Sequence, residues 1–274
     1  MKVSVISPVK NEAQFIGYSV MSVLPYVHEI IYSCAKSNDG TDELLSHIKT
    51  KYAGDKLKVL YKPHYDFDVK NMEAYNDAFN DCIKEATGDY VWFLHPDMIV
   101  TNPEAIENKN DSIALYTNIT SYAKDFNTKI TSGRATKWKN IHRKRFGLHY
   151  YGGYGSQNED FYHSEITGFD YSHHGEQFNR YPFRVSDSGI RVNHYCELKD
   201  FSRRLDKMVK CLSTLFPGSS VEALRERALA HPRVTLEPTT ELFGKFVFAE
   251  TNDPIPSVFE KYKDEFEPIV GVFA

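Results

Sequence analysis

The spacing of apolar residues switches repeatedly along the first half of the chain. Residues 2–7 (KVSVIS), 29–33 (EIIYS), 56–61 (KLKVLY), 90–94 (YVWFL) and 112–116 (SIALY) are short β-branched or aromatic runs, and each predicts a strand. Between them the pattern turns helical. Phe15, Ser19, Val20, Val23 and Leu24 form one stripe through 12–24, which Pro25 ends. A turn at 37–41 (SNDGT) opens a helix over 41–52, and Met72, Tyr75, Phe79 and Ile83 mark another over 68–86. The resulting βαβαβαβ order predicts an α/β protein with a mostly parallel, Rossmann-like sheet and helices on both faces.

The pattern weakens over 117–192, which is rich in Gly, Tyr, His and Asn and predicts loops and short strands. Residues 189–195 (GIRVNHY) read as a strand with His194 at its end. Phe201, Leu205, Met208, Leu212 and Leu215 then stripe a helix over 199–216, which Pro217-Gly218 stops. Ser219-x-x-Glu222 is a capping box for a helix to residue 230, and 258–266 forms a last short amphipathic helix.

Composition narrows the functional classes. The 274 residues suit one large α/β domain, alone or with an appendage. A net charge of −4 offers no global field for nucleic acid or membrane. Against it stands a basic run at 134–145 (RATKWKNIHRKR), which reads as a solvated face or as a phosphate contact, nucleic acid included. Cys34, Cys82, Cys196 and Cys211 form no CxxC pair, which suits a reducing, cytoplasmic compartment. Lys10-Asn11-Glu12 ends the first apolar run too early for a signal peptide. No stretch approaches 18 apolar residues, so no transmembrane segment is expected.

The stretch 86–100 carries the chemistry. A turn at Thr87-Gly88-Asp89 leads into a strand, and His95-Pro96-Asp97 follows at once. The carboxyl end of an inner strand is where ligands bind in open α/β sheets. In extended chain His95 and Asp97 share a face and can meet one ligand or metal; the alternative is a strand end with a solvated Asp and a partly buried His. No GxGxxG follows the first strand and no GxxxxGK[ST] occurs, which disfavours a dinucleotide fold and a phosphate-loop ATPase.

Three segments, in order and spacing, resemble the family 2 glycosyltransferases. Residues 3–12 (VSVISPVKNE) are similar to the family's opening strand and turn. Residues 29–41 (EIIYSCAKSNDGT) match its second-strand motif, and 86–97 (ATGDYVWFLHPD) match the segment that carries its DxD. A softer match joins 192–195 (VNHY) to a late histidine segment of the family. The resemblance implies a GT-A fold over 1–198, with a nucleotide-sugar half at 1–116 and an acceptor-side half at 117–198, then a C-terminal helical extension at 199–274. It implies a hexosyltransferase-type enzyme using a nucleotide-sugar donor, most often a UDP-sugar. The acceptor is a saccharide or glycoconjugate by default, or a hydroxylated base in DNA. A degenerate module that binds nucleotide or glycan without turnover is the alternative.

Carried over by position, Pro8, Val9, Asn11, Glu12, Cys34, Asp39, Asn80 and His95 fall at the nucleotide. Cys34 stands where the family has an acid that contacts base or ribose. Asn11 and Asp39 read equally as helix caps, and Asn80 as a buried side chain with a backbone partner. Asp97, with His194 and His95, falls at a divalent ion, Mn²⁺ or Mg²⁺; imidazole favours Mn²⁺. The base of an inverting transfer falls on Asp160, with Glu159 and Asp170 as alternates, each of which also reads as a solvated loop acid. Tyr150, Tyr151, Tyr154, Tyr162 and Trp138 read as ring-stacking residues or as ordinary packing.

Overall fold

The computed structural model describes residues 1–65, 72–108, 112–132, 137–144, 148–150, 162–164, 184–199, 201–216, 218–236 and 247–270. The parallel heart of the sheet is β1 (Val3–Val9), β2 (Glu29–Cys34), β3 (Leu57–Tyr61) and β4 (Tyr90–Phe93), in the order β3-β2-β1-β4. The helices α1 (Ala13–Val23), α2 (Thr41–Ile48) and α3 (Met72–Glu85) connect them. Alternate strand residues feed two cores. Val5, Val9, Ile30, Tyr32 and Trp92 pack among α1 and α2 residues; Ile6, Ile31, Val91 and Phe93 pack among Tyr75, Phe79 and Ile83 of α3. Burial on both faces explains why these strands are unbroken apolar runs rather than alternating ones.

Beyond β4 the sheet departs from the simple parallel expectation. The strand expected at 112–116 is longer, β6 (Ser112–Ala123), and does not lie against β4. β8 (Lys137–Arg143) sits between them, antiparallel to both. The short β5 (Met98–Val100) pairs antiparallel with β11 (Arg184–Glu197), which runs parallel to β6. β7 (Thr128–Ser132) pairs with β12 (Val247–Glu250), while β9 (Leu148–Tyr150) and β10 (Tyr162–Ser164) form a separate ribbon.

The last helices are α4 (Phe201–Leu215), α5 (Val221–Leu229), α6 (Pro232–Thr235) and α7 (Ser257–Val270). Leu205, Met208, Val209 and Leu212 of α4 close a small core with Leu224, Ala228 and Val234. Phe201, expected in that stripe, is about half exposed instead. The cap of α5 is Ser220 rather than Ser219: its hydroxyl accepts the Ala223 N–H at 3.2 Å. α7 runs longer than the pattern suggested, and its Phe259, Tyr262 and Phe266 join the main core beside α1. Its end presses on the β2–α2 turn. Gly40 there has φ +89°, and a Cβ on it would stand 3.2 Å from the Ile269 carbonyl oxygen, so glycine suits both the backbone and the space. Among the described residues, no helix is long and apolar enough to cross a membrane.

Candidate active site

Parallel strands leave their carboxyl ends on one edge, and the polar side chains gather there. Pro8 and Val9 end β1, in register with Ser33 and Cys34 of β2. Asn11 is not the cap of α1. It takes a left-handed backbone (φ 56°), and its side-chain oxygen accepts the Asn38 N–H at 3.0 Å. The free N–H groups of α1 are met from across the loop instead. Thr41 Oγ1 accepts Glu12 N–H at 2.8 Å, and Asp39 Oδ2 accepts Ala13 N–H at 3.1 Å. Asp39 Oδ1 also accepts Thr41 N–H at 3.1 Å, so one carboxylate ties the starts of α1 and α2 together. Arg203 donates to the same carboxylate at 2.8 Å.

Cys34 is buried and its thiol is pushed well up by that burial, so it stays protonated inside the core rather than facing the edge. Asn80 is also engaged. Its amide accepts Tyr150 N–H at 2.7 Å and donates to Tyr150 C=O at 3.0 Å, which clamps β9 to α3. Tyr150 itself is packed among Phe79 and Phe93.

His95 and Asp97 do not continue the strand. The Met98 N–H bonds back to the His95 carbonyl at 3.0 Å, closing a turn with Pro96 at its first central position. The turn aims Asp97 inward, where it is buried. β5 then pairs with β11 so that His194 stands opposite Met98, and the Asp97 carbonyl accepts the Tyr195 N–H at 2.9 Å. This backbone lock brings His194 Nε2 to 3.4 Å from Asp97 Oδ1. The His95 and His194 rings each meet Trp138 of β8 edge-on at 5.7 Å. Burial holds the His95 imidazole at about 3, so it is neutral at ordinary pH.

The cluster is completed by residues that pattern reading passed over. Lys199, between β11 and α4, reaches Glu12 at 2.5 Å and Asp97 Oδ2 at 3.0 Å; Lys207 approaches the same oxygen at 3.5 Å. Lys199, Arg203 and Lys207 are four residues apart, one face of a helix immediately after a strand that ends in a candidate ligand. That spacing was the signal available in the sequence. Burial works against the Asp97 carboxylate, but Lys199, Lys207 and His194 outweigh it and hold its proton affinity well below the usual carboxylate range. Burial raises Glu12.

A divalent ion fits this arrangement poorly. Among the described residues no group of three or more His, Cys, Asp or Glu side chains is gathered as a metal site. Asp97 has no aligned hydrogen bond from the described residues, yet one of its oxygens already faces two ammonium groups. Among the described residues, Asp97 and His194 of the expected set meet at 3.4 Å but form no three-membered coordination group with His95. The base candidates Asp160, Glu159 and Asp170 lie outside the described residues, as do Tyr151 and Tyr154.

The basic run is not a free phosphate surface over its described part. Lys137 pairs with Asp187 at 2.9 Å, Lys139 is buried, and the His142 ring bonds the Lys139 carbonyl. The Arg143 guanidinium lies over Tyr90, and Lys144 bonds the Ala86 carbonyl. β8 has absorbed these cations into the sheet, and contact with nucleic acid has no support from them.

Among solved structures, this chain is similar to S. aureus TarS 1-349, at 16% identity and TM-score 0.43, over 86% of this chain and 71% of that one. Mannosyltransferase PcManGT from Pyrobaculum calidifontis, in complex with GDP-Man and Mn²⁺, matches at 13% identity and TM-score 0.47, over 86% and 78%. Glucosyl-3-phosphoglycerate synthase from Mycobacterium tuberculosis, with Mn²⁺, UDP-glucose and phosphoglyceric acid, matches at 15% and 0.43, over 78% of each chain. No curated protein matches the sequence significantly. The family model "Glycosyl transferase family 2" matches residues 4–153, more than half of the sequence, and the chain belongs to that family.

Proposed function

We propose that this chain moves a sugar from a nucleoside-diphosphate donor to an acceptor hydroxyl, with the diphosphate at the carboxyl ends of β1, β2 and β4. The observation that carries the reading is the buried cluster of Glu12, Asp97, His194 and Lys199 on that edge. Burying Asp97, His194 and Lys199 together beside the half-buried Glu12 is costly, and such clusters concentrate where chemistry needs them. Residues 1–116 form the donor half and 117–198 the acceptor half. The extension at 199–274 lends its first helical turns to the site.

In this reading Pro8, Val9, Asn11 and Asp39 shape the nucleotide end of the cleft, and neutral His95 hydrogen-bonds the donor. Asp160 takes the acceptor proton with inversion at the sugar carbon, and Glu159 and Asp170 are its alternates; these roles come from the resemblance. A UDP-hexose is the first donor to test and a saccharide the first acceptor. The cluster binds and orients the donor, and its enclosure keeps water from the reacting carbon.

The test is thermal stability of the protein with UDP-glucose, UDP-galactose, UDP-N-acetylglucosamine and GDP-mannose in turn. A ligand that binds only the folded state raises the melting temperature by mass action. The expected result is a rise with one donor that Asp97→Asn abolishes. No rise with any of them, with and without added divalent ion, would overturn the reading.

A further inference from the structure

Lys199 is an unusual lysine. Its side chain is only 4% exposed, and its ammonium bridges Glu12 at the start of α1 to Asp97 in the turn between β4 and β5. A lysine whose purpose was to cover apolar surface would keep its charged end in water. Here the charged end points inward instead, 2.5 Å from one carboxylate and 3.0 Å from another. Lys207, one face further along α4, adds a second positive charge at 3.5 Å from the same Asp97 oxygen. Among the described residues, two carboxylates and two ammonium groups balance, just as two carboxylates and one divalent ion would. A divalent ion added to the existing set would sit against two like charges in a buried place, a repulsion that low-dielectric surroundings magnify.

We propose that the Lys199 and Lys207 ammonium groups stand in for a divalent ion in this protein, neutralising the departing diphosphate so that donor binding and sugar transfer run without metal. This rests on the transferase reading above. In the transfer, the bond between the sugar carbon and the diphosphate oxygen breaks, and its electron pair leaves with the nucleoside diphosphate. The acceptor oxygen bonds the same carbon, and its proton passes to the carboxylate base. The lysines give up no proton and no electrons. They supply charge, aimed beforehand at the place where negative charge grows.

The experiment is calorimetric titration of chelator-stripped protein with UDP and GDP, once in EDTA and once in Mn²⁺. Binding of one nucleotide with affinities within about threefold in the two buffers is expected. A parallel Mn²⁺ titration followed by electron paramagnetic resonance should leave the free-ion signal undiminished by the protein. Lys199→Met risks unfolding, because it strands the buried Asp97 carboxylate and the half-buried Glu12. Lys207→Met is the safer variant, since Lys207 is nearly a third exposed. It should weaken nucleotide binding in EDTA about tenfold or more, in line with loss of a charge-assisted contact. Unchanged affinity in Lys207→Met would overturn the proposal. Binding that needs Mn²⁺ would overturn it while leaving the transferase reading intact. No nucleotide binding in either buffer would overturn both.

Discussion

Glu29 and Asp97 are both buried carboxylates, at opposite ends of the same parallel strands. Glu29 lies at the amino end, where β2 begins. It accepts from Ser4 Oγ at 2.7 Å, Thr87 N–H at 2.6 Å, Thr87 Oγ1 at 2.7 Å and Lys58 Nζ at 2.7 Å. Every donor is aligned, and together they tie β1, β2, β3 and the turn before β4. Asp97, at the carboxyl end, has three nitrogens within 3.0–3.5 Å and no aligned hydrogen bond from the described residues. Its charge is compensated, but among the described residues its lone pairs are not satisfied. A saturated carboxylate can only hold the fold. A compensated but unsaturated one keeps capacity for another partner, at the cost of local stability.

The sharpest way to break the contrast is to neutralise Asp97. We expect Asp97→Asn to lower sugar transfer by about a hundredfold or more, the scale of losing one preorganised electrostatic group, with the circular-dichroism spectrum unchanged. Assay with the donor found by thermal shift checks this; near-normal turnover would remove Asp97 from the site. Glu29→Ala should do the opposite. It strands several donors at once, so a loss of roughly 3 kcal/mol in urea unfolding is expected, with turnover per folded molecule preserved.

The acid dependence sharpens the same point. Burial opposes the Glu29 carboxylate, but Lys58, Thr87 and Ser4 overcome it and set it at about 2. A group depressed in the folded state stabilises above its unfolded value, near 4.3, and loses that contribution as pH falls toward 2. Stability of the native protein should therefore fall through that window, while Glu29→Ala falls less steeply; parallel curves would show that another group governs acid unfolding. Last and smallest, Asn80→Ala should cost about 1–2 kcal/mol through the freed Tyr150 backbone and leave nucleotide affinity as it was. A drop in affinity instead would return Asn80 to the donor site.

Much of this contrast was open to sequence reading at one end of the sheet and closed at the other. The central strands announced themselves because both faces are buried, and so did the helices between them. The pairing of Asp97 with His194 followed from family motifs rather than periodicity. What escaped depended on contacts distant in the chain. β8 is polar enough to pass for a solvated basic run, because its cations are spent on partners elsewhere in the fold. Asn11 looked like a cap because the acid that serves α1 lies on another loop, at Asp39. Pro96 turned two residues that an extended chain would have put on one face. By pattern Lys199 is the first residue of a helix, although its spacing with Arg203 and Lys207 is visible in the sequence.

The bridge from Glu12 to Lys199 joins residues 187 positions apart. The strands and helices that carry Glu12 and Asp97 form a nearly local unit, able to collapse early, whereas the cation that neutralises them belongs to a segment synthesised much later. Closing so long a loop is slow and entropically costly. Until it closes, two carboxylates at that edge lack their counter-charge and must stay wet, which keeps the edge open. The charge set at the reactive end is therefore complete only when the segment around residue 199 has docked.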